Sequence, residues 1–70
     1  MARTFDAERL RSERQRCGLS GPALAQRAGL SRAAVFRLES GSRPDPCVST
    51  VAGLARALGL PLDALVKEAS

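Results

Sequence analysis

Histidine, tryptophan and tyrosine are missing from the sequence altogether, cysteine occurs only twice, and no apolar run approaches membrane-spanning length. Each absence removes a class of chemistry. Without histidine, a close acidic cluster or a phosphate-binding glycine loop, the usual catalytic constellations cannot be assembled, so the sequence does not read as an enzyme. Cys17 and Cys47 are too few for a disulfide framework and, without a histidine, cannot complete a familiar zinc ligand set. No metal and no cofactor is therefore expected, and Cys17 is expected as a small core residue. The opening residues MARTFDAERLR lack the hydrophobic stretch of a signal peptide. A cytoplasmic location, with no membrane partner, is the default that follows.

β-Branched and aromatic residues are scarce as well, with two phenylalanines against twelve alanines and ten leucines. That balance favours an all-α fold over a sheet. Seventy residues hold one domain with a small core. Charge is spread unevenly. Residues 1–43 hold nine arginines against four acids, a net of +5, whereas residues 44–70 hold two cations against three acids, a net of −1. A basic half beside a near-neutral half points to a polyanion, nucleic acid first, met by one side of the molecule. An arginine-rich genome would produce the same excess without that function.

The most informative stretch is residues 21–41, GPALAQRAGLSRAAVFRLESG. Leu24, Ala25 and Ala28 share one helical face at i, i+1 and i+4, and Val35 and Leu38 share another at i and i+3. Gly29 lies between them, where a positive φ at a bend carries no Cβ penalty, and Ser31 supplies an oxygen to cap the second helix. Two helices joined by a tight turn are predicted, over residues 21–28 and 32–40. Ser20 can cap the first of them, with Pro22 in its first turn, where the missing N–H costs nothing.

This stretch resembles the helix-turn-helix of the lambdoid phage repressor and Cro class, also called the XRE family. The likeness extends beyond the motif to Arg14 and Cys17-Gly18-Leu19-Ser20 before it, and to Leu38-Glu39-Ser40-Gly41 and Leu54-Ala55-Arg56-Ala57-Leu58-Gly59 after it. It covers residues 5–66. The resemblance implies a compact five-helix repressor-like domain that binds double-stranded DNA sequence-specifically, as a transcription regulator or the DNA-binding domain of one. Residues 32–40 would be the recognition helix in the major groove.

The resemblance assigns base-edge contacts to the positions of Arg32, Ala33 and Arg37. The chemistry suits that task, because arginine can donate two hydrogen bonds to guanine O6 and N7 while alanine can touch a thymine methyl. A phosphate contact or a solvated side chain is the other role open to each arginine. Phe36 also faces away from Val35 and Leu38, and has two roles open to it: a thymine-methyl contact, or packing against the fourth helix. Phosphate contacts are expected from the helix starts at Ser20, Gly21 and Ser31, and from Ser40, Ser42 and Arg43 in the loop after the recognition helix. Relatives often carry a glutamine where Gly21 stands, so here the helix N-terminus acts without that side chain.

The remaining elements follow from periodicity. Ala7, Leu10, Arg14 and Cys17 form a stripe over residues 6–17, the first helix. Arg14 on that stripe needs a carboxylate partner, and Glu39, at a helix end whose dipole disfavours an anion, is the candidate. The resemblance places the two in a structural ion pair; two solvated charges are the alternative. Pro46 can open the fourth helix, with Asp45 as cap, through Leu58, and a short fifth helix is predicted over residues 61–67. Relatives often place the last helix and the loop before it at a dimer axis. Leu60, Leu62 and Val66 would then meet a second copy, or would simply close the monomer's core. Residues 1–4 are expected to fray and 67–70 to form a C-terminal tail. A second functional class, a protein-interaction or antitoxin-like module with a protein partner on the same surface, is the alternative that an exposed Phe36 would favour.

Overall fold

A computed structural model describes residues 3–43 and 45–68. Four helices carry the fold: α1 (Ala7–Arg16), α2 (Gly21–Ala28), α3 (Arg32–Ser40) and α4 (Val48–Leu58). A 3-10 turn, Leu62–Leu65, follows, and two short strands, β1 (Arg3–Phe5) and β2 (Val66–Glu68), bring the two ends of the described chain together. They pair antiparallel in the register Arg3 with Glu68, Thr4 with Lys67 and Phe5 with Val66. The Asp6 N–H extends the pairing by donating to the Leu65 carbonyl at 2.8 Å.

This ribbon revises the predicted fifth helix. Four residues of LDAL wind as a 3-10 turn, and the chain then extends at Val66 (φ −128°, ψ 152°), because backbone groups of Arg3–Phe5 stand ready to satisfy it. A three-residue partner far away in sequence leaves no periodic trace. The fold is therefore mostly helical with a two-stranded ribbon. Residues 3–4 and 67–68, read from sequence as a frayed end and a tail, belong to it; residues 1–2 and 69–70 lie outside the described residues.

The core is one cluster: Leu10 from α1, Leu24 and Ala25 from α2, Val35 and Leu38 from α3, Val51, Leu54, Ala55 and Leu58 from α4, and Leu65 from the 3-10 turn. Five of these leucines are completely buried, each contributing about 2 kcal/mol through the apolar surface it withdraws from water. Gly53 on α4 lies so close to the end of α2 that an added Cβ would stand 3.2 Å from the Ala28 carbonyl oxygen. A side chain there would push the two helices apart.

Two local expectations fail. α4 begins at Val48 with Cys47 as its N-cap, not at Pro46 with Asp45 capping. Pro46 is buried instead, and its ring shares an apolar groove with Phe5, Val51 and Val66, which keeps the backbone extended up to Cys47 (φ −71°, ψ 159°). Cys17 is exposed, not in the core. α1 ends at Arg16, so Cys17 stands at its C-cap beyond the last packed turn. The place on the inward face goes to Glu13, 8% exposed, whose carboxylate accepts from Arg9 Nε at 2.8 Å and Arg16 Nε at 3.1 Å. Those hydrogen bonds, that to Arg9 above all, hold its pKa below the usual carboxylate range.

Candidate nucleic-acid interface

α2 and α3 are set by two serine caps and one left-handed glycine. Ser20 Oγ accepts from the Ala23 N–H and Ser31 Oγ from the Ala34 N–H, both at 3.1 Å. Between the helices Gly29 takes φ 73°, ψ 31°, a conformation that L side chains rarely adopt, and the Leu30 N–H then donates back to the Ala25 carbonyl at 2.8 Å. α3 is therefore presented across α2 by a turn of only three residues, 29–31.

Leu38 and Val35 point α3 into the core, and its opposite face is open. Arg32, Ala33, Phe36 and Arg37 are all exposed, Phe36 by 72%. Phe36 does not pack on α4. It borders a depression with Arg11, Arg14, Glu39 and Ser40.

Electrostatics across this region have one sign. Between Glu13 and Asp45 the only acidic residue is Glu39, against Arg14, Arg16, Arg27, Arg32, Arg37 and Arg43. Glu39 is itself neutralised by Arg14, whose Nε donates to Oε2 at 2.6 Å and Nη2 to Oε1 at 3.1 Å. The side chains of this pair are 16% and 14% exposed, so it is shielded from water and the surface of α3 bears uncompensated positive charge.

The phosphate-contact candidates divide by hydrogen bonding. Ser20 and Ser31 accept through their caps, and each hydroxyl keeps its hydrogen for a further acceptor. The N–H of Gly21 at the start of α2, and those of Arg32 and Ala33 at the start of α3, precede the first intrahelical bonds and are available to an anion. Ser40 and Ser42 are arranged differently: Ser40 Oγ donates to the Arg37 carbonyl at 3.1 Å and lies 2.9 Å from Ser42 Oγ. With Ser40 donating to the carbonyl, Ser42 supplies the second hydrogen, so both are spent inside the loop. Arg43 keeps its side chain exposed while its N–H donates to the Arg37 carbonyl at 3.3 Å. Gln26, which the sequence pattern does not single out, is exposed and shares a depression with Ser31 and Arg32 at the junction of α2 and α3. An outward polar residue on α2 carries no periodic signal of its own, so only the packed arrangement reveals it.

Of the residues read as dimer contacts, Leu60 packs against the monomer's own core. Leu62, 41% exposed, and Val66 line the apolar groove with Phe5, Pro46 and Val48. Among the described residues no group of three or more histidine, cysteine or acidic side chains is placed to hold a metal ion, and no helix is long and apolar enough to cross a membrane.

Comparison with known proteins agrees with this geometry. Residues 7–69 match the profile of a helix-turn-helix domain family. No curated protein matches the sequence significantly. Among solved structures, the restriction-modification controller protein C.AhdI from Aeromonas hydrophila is 34% identical, with 83% of this chain and 86% of that one aligned and a TM-score of 0.79. An HTH_3 family transcriptional regulator from Vibrio cholerae is 33% identical over 83% of this chain and 32% of its own, with a TM-score of 0.75. The N-terminal DNA-binding domain of the biofilm regulator SinR from Bacillus subtilis shares the fold at 20% identity, covering 91% of this chain and 93% of that one, with a TM-score of 0.81. With a matched profile over nearly its whole length and α2 and α3 joined in the matching geometry, the chain belongs to the helix-turn-helix domain family, in its repressor and Cro-type branch.

Proposed function

We propose that the chain binds double-stranded DNA sequence-specifically, as a transcription regulator or the DNA-binding domain of one, with α3 in the major groove. The observation that carries this reading is the outward face of α3. Arg32, Ala33, Phe36 and Arg37 stand exposed on a rigid helix, and its single carboxylate is withdrawn into a pair with Arg14. Arginines meet guanine edges, Ala33 and Phe36 meet thymine methyls, and the serine-capped starts of α2 and α3 with Arg43 hold the phosphates on either side. C.AhdI, a controller protein, and the Vibrio cholerae transcriptional regulator support a regulatory role. The class is a cytoplasmic binding protein that works without cofactor or metal and is not an enzyme.

A homodimer completes the proposal, with Leu62 and Val66 facing a second copy so that two α3 helices read half-sites about one DNA turn apart. The folded unit that does this is the stretch of residues 5–66 closed by the pairing of Arg3–Phe5 with Val66–Glu68. Fluorescence anisotropy of a labelled random-sequence duplex, titrated at several salt concentrations, tests the core of the reading. Binding that weakens steeply with salt is expected from several arginine–phosphate contacts. No binding even at low salt would remove DNA as the ligand and favour the second reading, a protein-interaction module, for which the exposed Phe36 is the specific observation.

A further inference from the structure

Among the residues that the proposed function sets against base edges, Phe36 is the largest, and its contact can be specified further. Phe36 is the most exposed large apolar side chain among the described residues, at 72%, and it stands on the outward face of α3 with Arg32 and Arg37; it is not among the residues that line the apolar groove. An exposed phenyl ring, here bordering a depression with Arg11, Arg14, Glu39 and Ser40, has little to meet on a sugar-phosphate backbone. In the major groove, the apolar group that a base edge presents is the methyl at C5 of a pyrimidine.

We infer that Phe36 reads the C5-methyl group of a pyrimidine, in thymine or 5-methylcytosine, within two base pairs of a guanine contacted by Arg32. The inference rests on the proposed placement of α3. Arg32 and Phe36 are one helical turn apart, about 6 Å along the axis, and bases follow one another at about 3.4 Å, so the two side chains address positions one or two steps apart. Ala33, three residues before Phe36, leaves room on the groove side for the ring to approach a base edge. The absence of any unpaired carboxylate on α3 removes the repulsion that would hold the ring off the DNA.

The test begins with selection of an operator from a random duplex pool by the intact chain. Each thymine of the operator is then replaced singly by deoxyuridine, which deletes only the methyl, and binding is measured for the wild type, Phe36→Ala and Phe36→Leu. We expect one thymine per half-site, near a guanine, whose replacement weakens the wild type about threefold to fivefold, the worth of one methyl removed from water. Phe36→Leu should keep that dependence and Phe36→Ala should lose it; because the side chain is exposed, both variants keep the core. With a C·G pair at the same position, cytosine against 5-methylcytosine separates the two sources. A gain on methylation makes binding sensitive to cytosine methylation, and no gain assigns the reader to thymine. A flat deoxyuridine scan, an unchanged scan in Phe36→Ala, or a selected half-site without a thymine near a guanine overturns the inference. A pool that yields no preferred sequence overturns the proposed function itself.

Discussion

Arg14 and Glu39, 25 residues apart, close a three-point contact: Arg14 Nε and Nη2 grip the carboxylate at 2.6 and 3.1 Å while Nη1 donates to the Leu19 carbonyl at 2.7 Å. One guanidinium thus ties α1, the turn before α2, and the C-terminal end of α3 together. At 16% and 14% side-chain exposure, breaking the pair strands a mostly buried charge, which costs more than the intact pair contributes. We expect Arg14→Met and Glu39→Gln each to cost about 3 kcal/mol, a large share of the stability of so small a domain. The double variant should cost clearly less than their sum. Urea denaturation of all four proteins measures this, and additive effects would show that the two groups act separately.

The arginines of the interface should separate by role. Arg32 begins α3 and Arg43 lies in the loop beyond its end, so the proposed docking sets one against base edges and the other against the flanking backbone. Arg32→Ala is expected to relax preference at one base pair, at a cost of about 1–3 kcal/mol against the selected operator. Arg43→Ala should weaken binding to every sequence alike and reduce the slope of log K against log salt by about 1. Anisotropy on the operator and a scrambled duplex distinguishes them; equal effects on both duplexes from both variants would show the roles to be misassigned.

Gly21 opens α2 with room to spare, since an added Cβ would meet no atom within 4 Å and its φ is not positive. Gly21→Gln should therefore fold without strain and place an amide beside the N-terminus of α2, where the proposed phosphate lies. One extra hydrogen bond of ordinary worth, about 0.5–1.5 kcal/mol, corresponds to a gain in affinity of about twofold to tenfold. The gain should appear on all sequences. A gain confined to the operator would place this helix start near a base instead of the backbone.

The helix-turn-helix was legible because each boundary is written locally. Ser20, Ser31, Gly29 and Gly41 carry their structural roles in their own side chains or in the lack of one, and the ranges 21–28 and 32–40 follow from them. What escaped depends on partners distant in sequence. β1 and β2 need each other, and neither RTF nor VKE alternates for long enough to announce a strand. Pro46 satisfies the rule for a first helical residue, yet burial beside Phe5 outweighs it and the helix starts two residues later. Glu13 carries no signal in the sequence, and its burial depends on the hydrogen bonds that Arg9 and Arg16 donate to it. Phe36 is legible as outward, but sequence alone does not say what it faces, and Gln26 carries no signal until α2 and α3 are packed.

Cys47 tests a different consequence of a helix start. Its Sγ lies 3.4 Å from Ser49 Oγ and 3.2 Å from Thr50 Oγ1, and the hydroxyls of Ser49 and Thr50, with the Thr50 backbone N–H, bring the thiol pKa down to about 7. A folded-state pKa below the unfolded value means that the thiolate favours the native state. Its contribution is complete above the ordinary thiol range and disappears as pH falls through about 7. The same charge governs reactivity, because the thiolate is the nucleophile. We expect alkylation of Cys47 by iodoacetamide, followed by mass-spectrometric peptide mapping, to rise with a midpoint near pH 7 in the native protein. In a Ser49→Ala, Thr50→Val double variant the midpoint should move up toward the ordinary thiol range, with α4 retained by circular dichroism. A native midpoint already above about 8.5, the value of an unperturbed thiol, would mean that the two hydroxyls do not donate to the sulfur.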